Sequence, residues 1–242
     1  MTTVFPPLSR EQIEVAKAVY DRAVQWQRCD RALHLLREQV PGFGAEATLL
    51  KVAAINTLYS TNVYAVVRVA EHVSDVMAGA ASREAGPDLV ERLANVPAGG
   101  AEKHPRRRYS FASKFAHFFV EPEQFPIFDR YANEMVRELL GDGEVAIDSG
   151  RPYEAFVRSI ERVEAAMSVK ISRTSLDHYL LIAGEYRAFK QGHGAEIGGE
   201  LRQLFEEGRL ELEKLLPPPW IPPLIGASSR TVCVAFSRLS GA

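Results

Sequence analysis

The sequence predicts an all-α protein, and three observations carry that prediction. Apolar residues recur at three- and four-residue spacing through most of the chain. Helix-starting and helix-stopping residues stand at the ends of those runs. Strand-like alternation is confined to one short stretch, residues 230–237 (RTVCVAFS).

Taken in order, the first run begins at Ser9 and continues as SREQIEVAKAVYDRAVQWQRCDRALHLLREQV. Ser9 with Gln12 three residues later has capping-box form, and Pro41-Gly42-Phe43-Gly44 ends the run. Residues 45–77 are apolar enough to be buried but carry a polar interruption at Ser60-Thr61-Asn62. They read as two helices meeting at a turn, with Asn62 or Thr61 as the second N-cap. Pro87 fits the first turn of a short helix ending near Asn95. A loop rich in Gly, Pro and positive charge, VPAGGAEKHPRRR, leads into an aromatic helix over residues 110–119. The loop EPEQFP follows, and then a helix from about Phe128 to Leu140 that stops at Gly141. Three further helices are expected over 153–169, 175–190 and 195–216. Residues 1–216 thus read as one helical domain with room for two lobes, and 217–242, with PPPWIPP, as a proline-rich extended arm.

Composition narrows the function classes. Lys and Arg total 29 against 31 Asp and Glu, so the net charge of −2 excludes nucleic-acid binding by bulk positive charge while leaving room for a local basic patch. The two cysteines, Cys29 and Cys233, are too few and too far apart for a Cys-rich zinc site or an iron–sulfur cluster. Such sparse use suits a reducing cytosol, and a cytoplasmic location is expected. MTTVFPPLSR has no basic segment followed by an apolar core, so no signal peptide is expected, and the apolar runs are too short to cross a bilayer. His178 and His193 lack metal-ligand spacing with other His, Cys or carboxylate positions, and neither a metal nor a cofactor is expected.

The densest chemical signal lies between Lys103 and Asp129. Residues 109–128 hold seven aromatics, of which Phe111, Phe115, Phe118 and Phe119 form one helical stripe suited to a core. Lys114 borders that stripe, with His117 on its side. Two readings of Lys114 stand: a snorkelling lysine whose ammonium reaches water, or an amine whose pKa desolvation lowers until it is a nucleophile. Asp129 precedes an amphipathic helix and reads as its N-cap; a capping carboxylate near an apolar wall also stabilises a developing cation. The basic run with Arg106, Arg107 and Arg108 leads into Tyr109-Ser110, where a helix N-terminus adds free amide hydrogens and its dipole. That is either a phosphate site or a solvated basic loop.

These residues resemble the helix-hairpin-helix DNA glycosylase superfamily, the class of endonuclease III and 8-oxoguanine DNA glycosylase. Ala54-Ile55-Asn56-Thr57-Leu58-Tyr59-Ser60-Thr61-Asn62-Val63 is similar to the family's buried helix that ends in a polar turn and restarts. Ala112-Ser113-Lys114-Phe115-Ala116 resembles the Gly-x-Lys-x-Ala start of the helix bearing the catalytic lysine. Pro126-Ile127-Phe128-Asp129-Arg130-Tyr131 resembles the Pro-Val-Asp-x-His stretch bearing the essential aspartate. The likeness extends over residues 45–140. The departures include Arg107-Arg108-Tyr109-Ser110-Phe111 where the family carries its Leu-Pro-Gly-x-Gly hairpin, Tyr131 in place of the usual His, a Lys114-to-Asp129 stretch a few residues shorter than usual, and Tyr59 near where members often place a Gln or Asn.

The resemblance implies a multi-helix glycosylase fold and a protein that excises a damaged or modified base from double-stranded DNA. Lys114 would be the nucleophile, with associated AP-lyase strand cleavage, and Asp129 would stabilise the oxocarbenium. Arg106, Arg107, Arg108 and Ser110 would anchor phosphate, and Tyr59, Ser60 and Asn62 would form the wedge turn that replaces the extruded base. Two alternatives remain at this stage. One is a catalytically inactive nucleic-acid-binding module on the same scaffold. The other is a protein-interaction scaffold that docks partners through PPPWIPP.

Overall fold

The structure, a computed structural model, describes residues 8–79, 86–98, 107–141, 150–167 and 170–216. These form an all-α fold of ten helices: α1 (Arg10–Arg22), α2 (Val24–Gln39), α3 (Ala45–Leu58), α4 (Val66–Ala78), α5 (Asp88–Ala94), α6 (Tyr109–Phe119), α7 (Arg130–Leu140), α8 (Pro152–Ala166), α9 (Arg173–Lys190) and α10 (Gly199–Glu207). Two short 3-10 turns, Gly194–Glu196 and Leu212–Leu215, flank α10. The expected arm, 217–242, with its strand-like segment and Cys233, lies outside the described residues, as does Arg106.

Several ends follow from local chemistry. Ser9 closes its capping box with Gln12 in both directions at the start of α1. Asp129 accepts the Ala132 amide hydrogen at the start of α7, and Gly141, at φ +76°, ends that helix as only glycine does without strain. Three boundaries differ from expectation. The first run is two helices broken at Ala23, a residue with no turn propensity. One local and one tertiary side chain make the break: Gln27 donates to the Tyr20 and Asp21 carbonyls that end α1, while Glu200 of α10 accepts from the Gln25 and Trp26 amides that begin α2.

Neither Thr61 nor Asn62 caps α4, which starts after Ala65 without a side-chain cap. Asn56 organises the turn instead. Its amide donates to the Val63 carbonyl at 2.9 Å, and its oxygen accepts from the Val63 N–H at 2.8 Å and the Thr61 hydroxyl at 3.1 Å. The last expected helix is also divided, because Gly198 and Gly199 start α10 and Gly208, at φ +62°, ends it.

The helices pack as two groups. One holds α2 to α6, with α3 on α4 and α5 on α6. The other is built around α9, which packs on α7 and α1 and touches α10 and both 3-10 turns. Helix α9 is buried on several faces, which explains why it shows no narrow apolar stripe, and α6 is buried at every position from Phe111 to Phe119, beyond its phenylalanine stripe. Contacts of α1 with α2 and of α5 with α8 join the groups. The cleft between the groups is where the candidate residues converge.

Candidate active site

A cavity of about 710 Å³ opens between the two helix groups. One wall comes from the turn after α3 (Leu58, Tyr59, Ser60, Asn62) and from α6 (Ser110, Lys114). The facing wall comes from the start of α7 (Asp129, Arg130, Tyr131), from α9 (Leu181, Glu185) and from the Glu196–Gly198 segment. Trp26 and Cys29 of α2 complete it. Six residues singled out from sequence alone, Tyr59, Ser60, Asn62, Ser110, Lys114 and Asp129, therefore meet in one cleft although they span 71 positions of chain.

Lys114 and Asp129 face each other across it. The Lys114 ammonium donates to the Ser110 hydroxyl oxygen at 2.9 Å and lies 3.4 Å from Asp129 Oδ2, with the side chains 6% and 14% exposed. It also sits 5.9 Å from the centre of the Tyr59 ring, within cation–π range. Lys114 is thus not a snorkelling lysine; its head group is directed into the cleft. Asp129 performs two tasks at once, with Oδ1 on the α7 amide and Oδ2 on the lysine.

The loop that delivers Asp129 is held at every residue. His117 contacts the Phe125 carbonyl at 3.0 Å, Tyr153 donates to the Pro126 carbonyl, the Ile127 amide donates to Asp177, and the Phe128 amide donates to Ser113 on α6 itself. Burial pushes His117 down to about 4 and drives the Asp177 carboxyl well above the usual carboxylate range, and the two side chains lie 3.4 Å apart. The same helix therefore carries the lysine and two of the four anchors that position its carboxylate.

Tyr59 is fixed from behind. Its hydroxyl donates to Asp30, which also accepts from Tyr20 at 2.6 Å, and Tyr20 stacks on His178 at 3.9 Å. Burial and the Asp30 carboxylate hold the Tyr59 phenol well above its ordinary pKa, so it stays protonated and rigid. Beyond it, Ser60 (φ +47°) and Asn62 (φ +55°) both adopt the left-handed conformation, each at a cost of about 1 kcal/mol or more. The turn then presents Tyr64 to solvent at 83% exposure, with Val67 exposed beside it.

The basic run divides. Arg106 lies outside the described residues. Arg107 pairs with Asn95 in an isolated antiparallel bridge, and Arg108 precedes α6 and donates to the Asn62 carbonyl at 3.3 Å. Neither arginine lines the cavity, which Ser110 does. Helix α6 begins without a side-chain cap, leaving its first amide hydrogens unclaimed by a capping group beside the arginines.

Several wall residues escaped the sequence reading, among them Trp26, Cys29 and Glu185. Of these three, only Glu185 left a signal, a lone carboxylate within the apolar run LLIAGEYRAF. It is 6% exposed, accepts the Gly198 amide hydrogen at 3.3 Å, and is pushed up to about 7 by burial.

Comparison with known proteins covers the first half of this architecture. The model of the HI_0787_N family, described as an N-terminal domain, matches residues 12–124. An uncharacterized protein of Haemophilus influenzae is 34% identical over 92 residues, which is 38% of this chain and 44% of that protein. The match spans less than half of the relative's length. No solved structure matches the chain. The family match runs from α1 through α6, so it includes Tyr59 and Lys114 and stops short of Asp129 and Glu185. Among the described residues, no helix is long and apolar enough to cross a membrane.

Proposed function

We propose that this protein is a DNA glycosylase of the helix-hairpin-helix type with associated AP-lyase activity, acting on a damaged or modified base in double-stranded DNA. The observation that carries the reading is the pairing of Lys114 with Asp129 across a cleft large enough for a nucleotide. The pair sits where the resemblance places nucleophile and carboxylate, and an independently rigid aromatic turn faces it. An extruded sugar entering this cleft meets an amine at one side and a fixed negative charge at the other. Asp129 stabilises the positive charge that develops on the sugar as the base departs, and it needs no reorganisation to do so because its loop is already pinned. Lys114 then bonds to C1′, and the resulting Schiff base allows the strand to be cut. Tyr59 to Asn62 would occupy the gap left in the duplex, and Arg106, Arg107 and Arg108 with the start of α6 would hold backbone phosphate.

The test uses duplex DNA bearing an abasic site, which bypasses the identity of the base. Incubation with borohydride is expected to trap a covalent protein–DNA adduct in the wild type and none in Lys114→Ala. Salt-sensitive DNA binding with no adduct would replace this reading with a catalytically inactive nucleic-acid-binding module. Absence of both adduct and binding would remove nucleic acid from the function altogether.

A further inference from the structure

Strand cleavage after Schiff-base formation needs a group that removes a proton from C2′, and the cleft holds three carboxylates that could serve: Asp129, Glu196 and Glu185. Two of them are committed. Asp129 has one oxygen on the Ala132 amide and the other on Lys114. Glu196 has Oε2 on the Arg130 guanidinium at 2.8 Å and Oε1 on His193 at 3.2 Å. Glu185 has only the Gly198 amide hydrogen on Oε2, and among the described residues its Oε1 carries no hydrogen bond. Unlike Oδ1 of Asp177, which is buried without a partner, Glu185 Oε1 is not sealed off, so it is open to a molecule that enters the cleft.

The backbone brings it there deliberately. At Gly184, next to Glu185, a Cβ would stand 2.7 Å from the Tyr131 carbonyl oxygen, so α9 can approach the start of α7 this closely only with glycine. That contact places Glu185 beside the helix end that carries Asp129.

We propose that Glu185 is the proton acceptor for strand cleavage, a role that rests on the glycosylase–lyase reading above. Lys114 Nζ bonds to C1′ of the ring-opened abasic sugar, and the C1′ oxygen leaves as water, giving a protonated Schiff base. The C2′–H bond then breaks. Its proton passes to Glu185 Oε1, and its electron pair forms C1′=C2′. That pair next shifts to C2′=C3′, the C3′–O bond breaks, and the 3′-phosphate departs with the bonding electrons. Glu185 returns the proton to solvent. The groups around Glu185 suit an acceptor that works near neutrality. Burial and the Asp129 charge raise its carboxyl pKa to about 7, while the Gly198 amide, Lys114 and Arg130 oppose them; Tyr131, Glu196 and Cys29 line the same cavity.

Abasic-site duplex reports the two steps separately. With borohydride present the adduct measures Schiff-base formation, and without it the nicked product measures elimination. Glu185→Gln keeps an acceptor for the Gly198 amide but has no useful proton affinity. It is expected to form adduct while cutting the strand about 10²-fold more slowly. The wild-type rise in cutting rate through about pH 7 should be flat in this variant. Glu185→Asp, which retains a carboxylate, should recover part of the rate and the pH dependence. Cutting by Glu185→Gln at the wild-type rate with the wild-type pH profile would reduce Glu185 to a partner of Gly198, leaving the Lys114 reading intact. Loss of adduct together with cutting, in a variant that melts like the wild type, would move Glu185 to an earlier step and overturn the assignment. If the wild type forms no adduct, both proposals fall.

Discussion

Asp129 is the residue on which structure and chemistry overlap most. One oxygen caps α7 and the other holds Lys114, so a single side chain sets both where the helix begins and what the lysine faces. The two tasks separate by substitution. Asp129→Asn and Asp129→Ala both leave Lys114 with only the Ser110 hydroxyl, but asparagine still caps the helix. The alanine variant is therefore expected to be less stable than the asparagine variant by about 1 kcal/mol in urea denaturation. Equal stabilities would mean that the α7 amide is satisfied by water and that the cap contributes nothing. At this scale the sequence was informative. Lys114, Asp129 and the Tyr59–Asn62 turn carry unusual residue types at positions where the helical pattern changes, and all reach one cleft. Glu185 was passed over because a single glutamate in a long helix is ordinarily a solvated side chain. Its burial comes from α7 and the Gly198 segment, which lie far from it in the chain.

Among the elements, α9 organises the site through its contact with α7. Gly184 is the narrow point of that contact, since any Cβ must displace the Tyr131 backbone. Gly184→Ala is expected to destabilise the fold by about 2 kcal/mol, measurable as a lowered urea midpoint, and to reduce adduct formation because Asp129 moves with α7. A variant of wild-type stability would show that the two helices separate freely. Helix ends were legible where local chemistry decided them, as at Ser9, Asp129 and Gly141. They were illegible at Ala23, where Glu200 reaches the first α2 amides from a distant helix, and at the 59–65 turn, where Asn56 inside α3 rather than a residue of the turn satisfies the backbone.

For the molecule as a whole, buried groups push stability in opposite directions with pH, His117 and His178 being lowered and Asp177 and Glu185 raised. His117 is lowered to about 4, so its favourable contribution is complete above about 6.5 and is lost as pH falls towards 4. Glu185 is raised to about 7, so its contribution is complete below its ordinary 4.5 and is lost as pH rises towards 7. Their opposition flattens the wild-type profile. Glu185→Gln removes one of the raised carboxyls, and its stability relative to wild type is expected to grow by about 3 kcal/mol between pH 4.5 and 7.5 in urea titrations. A difference that stays constant across that range would mean that Glu185 remains hydrated and ionised. Burying this carboxylate lowers stability near neutral pH, a cost that the proposed role of Glu185 would offset.

Helical periodicity, capping residues and turn glycines by themselves determined that the chain is all-α and roughly where its main helices lie, because these depend on residues within one or two turns of each other. The order of lysine, aromatic and carboxylate motifs likewise named the two walls of the cleft. Packing alone brings Lys114 and Asp129 to 3.4 Å, breaks the first long run at Ala23, and adds Trp26, Cys29 and Glu185 to the cleft. Those outcomes depend on burial and on hydrogen bonds between positions up to 175 residues apart, such as Gln25 with Glu200. Sequence spacing holds no record of such pairings until the helices pack.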